Sequence, residues 1–137
     1  MKTLTRITLL VLALATLFSF VSCASPEDWE TDVYGSDTKL GKGEKTVTVK
    51  VITETNEITF TIRTNAKTLG EALLDHKLIA GEDGAYGMYI KRVNGVLADY
   101  EVDGHYWNFT KNGEMMLVGV DGAEIADGEQ YELTRTK

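Results

Sequence analysis

The chain has 137 residues, of which 43% are hydrophobic and 26% charged, with 14 basic against 21 acidic side chains and a formal charge of −7 at pH 7. That length holds one domain once the ends are discounted, and the acidic balance argues against nucleic acid as a partner. A cationic ligand, a divalent metal ion or a basic protein is compatible with it.

The first element is a targeting segment. Lys2 and Arg6 give a positive start, Ile7 to Val21 is almost wholly apolar, and small residues follow in "VSCAS", which is the order of a secretory signal. The apolar run is too short to span a bilayer comfortably. Cys23, the only cysteine, stands directly after it in "FVSC", and this resembles the bacterial lipoprotein box. The resemblance implies that residues 1–22 are a signal peptide, that the Cys23 thiol is acylated, and that the mature protein sits on membrane lipid in the bacterial cell envelope, outside the cytoplasm. More than one acyl chain on that residue makes such an anchor stable. An alternative cut after Ala24 also fits the small-residue rule and yields a secreted protein. Loss of residues 1–22 removes Lys2 and Arg6 but no acid, so the mature chain is more acidic still.

Residues 23–44 carry the only proline, three glycines and many charges, without helical or strand periodicity. They read as a flexible tether in which Trp29 and Tyr34 are unusual. The folded domain is expected over 45–137. "TVTVKVIT" places Val47, Val49 and Val51 on one face and "EITFTIRT" does the same with Ile58, Phe60 and Ile62, so the pair predicts a β-hairpin. In "TLGEALLDHKLIAG", Thr68 and Glu71 fit a capping box, Leu69, Ala72, Leu73 and His76 share a helical face, and Gly81 supplies a stop. His76 at the edge of that stripe reads as a packed or half-exposed histidine. "GMYIKRV", "YWNFTK" and "QYELTR" then predict strands, punctuated by Asn94-Gly95, Asn112-Gly113 and Asp127-Gly128. Strands, one helix and further strands predict an α+β domain, with the helix packed on one face of a mixed sheet in a β-grasp-like, ubiquitin-like arrangement.

Taken together, "TLGEALL", "GAYGMYIKRVNG" and "YWNFTKNGEMMLVGVDGAEIADGEQYEL" resemble the transcobalamin-like C-terminal domain family over about residues 46–136. This domain closes the carboxyl end of transcobalamin and intrinsic factor, and in bacteria occurs in small secreted or lipid-anchored proteins. In the animal proteins it is the smaller half of a cobalamin clamp, the other half being a helical barrel. The resemblance implies a corrinoid ligand held by Tyr86, Gly87, Met88 and Tyr89 on one strand and by Trp107, Asn108 and Phe109 on the next. Leu117, Gly119 and Val120 form the facing loop in that reading. A large flat macrocycle needs an apolar aromatic shelf of this kind, with a few polar groups to orient it. The chain is too short for the helical half, so a partner protein is implied to complete the site. An alternative is a surface that binds a protein and no small ligand.

Trp107 and Phe109 share one face of a strand, and Tyr106 and Asn108 share the other, so Trp107 is either core or shelf. No nucleophile motif, phosphate loop or familiar triad spacing occurs, and the expectation is a protein that is not an enzyme. Metal binding is the rival function. "DYEVDGH" alternates Asp99, Glu101 and Asp103 before Gly104 and His105, an opening similar to that of a calcium loop. Thr110 stands where such a loop needs its bidentate acid, which leaves only a looser site around Asp103 and His105. The Asn108 sequon is discounted, because a strand position in a bacterial lipoprotein is unsuited to glycosylation.

Overall fold

The computed structural model describes residues 29–137; the leader and Cys23 lie outside the described residues. The chain forms β1 (Thr38–Leu40), β2 (Lys45–Ile52), β3 (Glu57–Thr64), α1 (Leu69–Asp75), β4 (Ile79–Gly84), β5 (Gly87–Val93) and β6 (Val96–Leu97). A single helical turn α2 (Tyr100–Asp103), β7 (Tyr106–Lys111), β8 (Glu114–Met115), a 3₁₀ turn at Val120–Gly122 and β9 (Gln130–Thr136) complete it. Among the described residues no helix is long and apolar enough to cross a membrane.

The strands assemble into a six-stranded sheet, β1-β3-β2-β9-β7-β8, and a separate three-stranded sheet, β4-β5-β6. This corrects the expected β-grasp-like α+β arrangement with one mixed sheet under one helix. The molecule is mostly β, and α1 is only 7 residues long. Its stop is not Gly81 but Lys77, which takes a left-handed φ of 51° and lets the Leu78 N–H bond back to the Leu73 carbonyl at 3.0 Å. The chain then enters β4 at Ile79, two residues before that glycine. Gly81 serves a different purpose. A Cβ there would lie 2.1 Å from the Tyr89 carbonyl oxygen, so glycine permits the bulge at Ala80/Gly81 where β4 and β5 shift register.

Period-two alternation puts one apolar face on the large sheet. Val47, Val49 and Val51 stand opposite Ile62, Phe60 and Ile58, and Val49 and Val51 lie beside Tyr131 and Leu133 of the parallel β9. Leu133 in turn faces Phe109 across the β7–β9 ladder, with Trp107 opposite Arg135. This face is closed by Leu69, Ala72 and Leu73 of α1 and by Ile79, Ile90 and Val93 of the small sheet, all buried. The Thr68 hydroxyl caps α1 by accepting from Glu71 N–H. The reciprocal Glu71 carboxylate accepts from Lys67 N–H, one residue before the usual box position. Asn94-Gly95 and Asn112-Gly113 both have positive φ at each residue, the type I′ geometry that suits tight hairpins.

Part of the segment expected as a tether is built into the fold. β1 runs parallel to β3, Tyr34 meets Phe60 edge-on at 5.6 Å, and Asn94 clasps the Tyr34 backbone through both N–H and C=O. The Thr31 hydroxyl accepts from Gly95 N–H at 2.6 Å, and Asp32 N–H donates to Lys77 C=O. No apolar periodicity marks residues 29–40, because single side chains rather than a face make these contacts.

Candidate functional site

The residues that the family resemblance picks out come together at one end of the molecule. Met88, Tyr89, Trp107, Asn108, Phe109, Gly119 and Val120 line a hollow of about 240 Å³ between β5, β7 and the segment after β8. Tyr86, Gly87 and Leu117 line an adjoining hollow of about 350 Å³, which shares Met88, Tyr89 and Gly119 with the first. Four consecutive β7 residues, Tyr106 to Phe109, border the first hollow. Successive strand side chains point to opposite faces, so this hollow lies against the edge of β7 and not on either face.

That edge is open. β8 pairs only with Thr110 and Lys111, and Met116 N–H donates to Phe109 C=O at 3.0 Å. By alternation, the next backbone groups pointing away from β9 are those of Trp107, and among the described residues no strand pairs with them. Trp107 as a whole residue is only 8% exposed and belongs to the core. Its indole Nε1 is buried without a hydrogen-bond partner among the described residues. Trp107 therefore borders the hollow from within, while Phe109 beside it is held by stacking on Tyr131 at 5.7 Å.

The loop from Met116 to Val120 is tied on both sides. Asp121 Oδ1 accepts from Met88 N–H at 2.9 Å, and a Cβ at Gly87 or Gly119 would fall 2.6 or 2.8 Å from that oxygen. These two glycines thus leave room for the Asp121 carboxylate to join the loop to β5. The start of α1 holds the far side: Leu69 N–H donates to Ala123 C=O, and Ile125 N–H to Lys67 C=O. A capped helix and an aspartate, neither of which touches a ligand in the sequence reading, thereby set the width of the hollow.

Behind Tyr89 lies Lys91, whose side chain is 7% exposed. Its ammonium sits 2.9 Å from Asp99 Oδ1 and 3.6 Å from Glu82, 4.4 Å from the Tyr89 ring centroid and 5.6 Å from that of Trp29. Burial alone would lower its pKa, but the Asp99 hydrogen bond and charge outweigh it and hold Lys91 above the ordinary lysine value. The cation fixes the wall of the hollow at Tyr89. Nothing in the sequence around Lys91 announced a buried charge, since "IKRV" reads as an ordinary half-exposed strand.

The acidic stretch 99–105 is arranged differently from a metal loop. Asp99 is paired with Lys91 and caps α2 by accepting from Glu101 N–H, and Glu101 points to solvent. Asp103 accepts from the N–H groups of Asp99 and His105 and from Arg135 Nη2 at 3.0 Å. Desolvation pushes its carboxyl up, and these donors more than offset that, leaving it below the usual carboxylate value. His105 Nδ1 lies 2.9 Å from Asp103 C=O and Nε2 3.3 Å from Glu54. Arg135 bridges Glu54 and Asp103. Among the described residues no three His, Cys, Asp or Glu side chains are grouped to hold a metal ion.

Residues 66–136 match the family described as Domain of unknown function (DUF4430), which is more than half of the chain. The chain belongs to this family. A crystal structure of a protein from Ruminococcus gnavus ATCC 29149, provisionally described as metal binding, is 38% identical, with a TM-score of 0.65 over 69% of this chain and 98% of that one. Haptocorrin, crystallised in complex with Cbi, is 18% identical, with a TM-score of 0.58 over 72% of this chain. The chain spans 26% of haptocorrin's length. The DUF4430 match supports the family suspected from the motifs, and the likeness to haptocorrin is one of fold. Comparison with curated proteins gives no match.

Proposed function

We propose that the domain is a binding module, not an enzyme, and that its site is the hollow at the open edge of β7. The observation that carries this reading is the convergence of three separate stretches, 86–89, 107–109 and 117–120, on two adjoining hollows. A corrinoid is the first ligand to test, because haptocorrin, whose crystal structure holds Cbi, has the same fold over part of its length. The hollows have the apolar and aromatic lining such a macrocycle requires. The first is smaller than the roughly 300–1,000 Å³ of pockets that enclose a whole ligand. One side of the macrocycle stays uncovered, so affinity is weak unless a partner protein closes the site. Acylation of Cys23 would hold such a module at a membrane surface.

Tryptophan emission tests the proposal. In Trp29→Phe protein the remaining signal is Trp107, and cobinamide or cobalamin resting against the β7 edge quenches it saturably. Unchanged emission up to about 1 mM, where binding is worth only about −4 kcal/mol, would reject the corrinoid. The R. gnavus relative favours a second reading, a metal site. Calorimetric titration of chelator-stripped protein with calcium, zinc and nickel decides it, and heat that survives Asp103→Ala would place any such site away from 99–105.

A further inference from the structure

The rim of this site has a chemistry of its own. Tyr86 is 92% exposed, Leu117 94%, Met115 66% and Val118 47%, so large apolar side chains crowd the tips of two neighbouring loops. Isolated exposed apolar residues are ordinary, but a contiguous group marks a contact surface. The segments forming these tips, "GEDGAYGMY" (81–89) and "NGEMMLVGVDGAE" (112–124), contain five acids and no Lys, Arg or His. Asp83 and Glu114 are exposed and have no ion-pair partner among the described residues. The flanking cations are already engaged, Lys91 with Asp99 and Lys111 with Glu129.

We infer that this rim, together with the open β7 edge, docks an extended segment of a partner protein that alternates apolar with Lys or Arg side chains. The inference rests on the reading that this end of the domain is its binding end, and it specifies the partner. An unpaired strand edge accepts extended backbone by adding hydrogen bonds, and Trp107 is where that edge borders the hollow. Apolar side chains of the added segment fall toward Met88 and Val118, and its basic side chains reach Asp83 and Glu114. The same acids repel an anionic membrane surface or a nucleic acid.

Fluorescein-labelled ten-residue peptides of alternating Val-Lys, Val-Glu and Ser-Lys, read by fluorescence anisotropy on the intact domain, separate the contributions. Val-Lys should bind at least about tenfold more tightly than either control, and more weakly at high salt. Tyr86→Ser with Leu117→Ser should weaken it about fivefold or more while circular dichroism stays unchanged, because both side chains are almost fully exposed. Asp83→Asn with Glu114→Gln should flatten the salt dependence. Equal binding of Ser-Lys and Val-Lys, no binding of Val-Lys, or Val-Lys binding untouched by the rim variants would overturn the inference. Cobinamide quenching of Trp107 without peptide binding overturns only this inference, whereas peptide binding without quenching overturns only the corrinoid.

Discussion

Asp99→Asn is the sharpest perturbation of the scaffold behind the site. Asparagine caps a helix about as well as aspartate, so the hydrogen bond to Glu101 N–H survives and only the charge is lost. Lys91 and Asp99 side chains are 7% and 9% exposed, and removing one partner of a buried pair costs about 3–5 kcal/mol because the other charge is stranded. Glu82, at 3.6 Å and more than half exposed, compensates in part, which places the loss near about 3 kcal/mol. For a domain of this size that lowers Tm by roughly 12–24 °C. Urea unfolding of the variant measures the loss directly. Lys91→Met combined with Asp99→Asn removes both charges and should recover most of the stability, to within about 1 kcal/mol of the parent. A loss below about 1 kcal/mol in Asp99→Asn, or a double variant as unstable as the single one, would refute the claim that a desolvated pair holds this wall in place.

Phe60→Ala should cost about 3–5 kcal/mol, since Phe60 is fully buried; hydrogen exchange should show residues 31–40 released as well, because Tyr34 rests on that ring. Asp121→Ala should cost only about 1 kcal/mol but weaken any ligand of the hollow, as it severs the tie between the loop and β5; equal loss of stability and binding would assign it to folding alone. Alkaline pH should destabilise the domain. Lys91 has a folded pKa above its ordinary value of 10.5, so its stabilisation is complete at neutral pH and lost as pH rises beyond that value. Burial, and then Glu129, push the Tyr131 phenol up to about 12 from 10.0, so the unfolded chain ionises first and stability falls across that interval as well. Absorbance at 295 nm, with Tyr131→Phe as reference, checks the phenol.

The strands of the large sheet were legible because alternation over "TVTVKVIT" and "EITFTIRT" reports a face buried on one side only, and Asn112-Gly113 announces the type I′ turn between β7 and β8. The second sheet was legible only in part: "GMYIKRV" is β5 and Asn94-Gly95 its turn into β6, but β4 gave no strand signal. β4 is "IAGEDG", four of its six residues glycine or acid, and it pairs through a bulge that local propensity does not encode. β1 is three residues long and depends on contacts made by single side chains at Tyr34 and Asn94. The site residues emerged from the resemblance, whereas alternation alone left Trp107 undecided between core and shelf. The structure shows why: it is packed in the core and also lines the hollow. Asp121 escaped attention because its role arises from a pair far apart in sequence, with Met88, and Lys91 because its partner Asp99 lies beyond the Asn94-Gly95 turn, outside the reach of strand periodicity.

Amide chemical-shift mapping on ¹⁵N-labelled protein tests the central claim most directly, that the open edge of β7 with the 116–120 loop is the binding site. Addition of cobinamide should move the amides of Met88, Trp107, Asn108, Gly119 and Val120 together, with one saturation curve, and leave Glu101, Asp103 and His105 in place. Shifts confined to 99–105, or scattered over the surface without saturation, would contradict it.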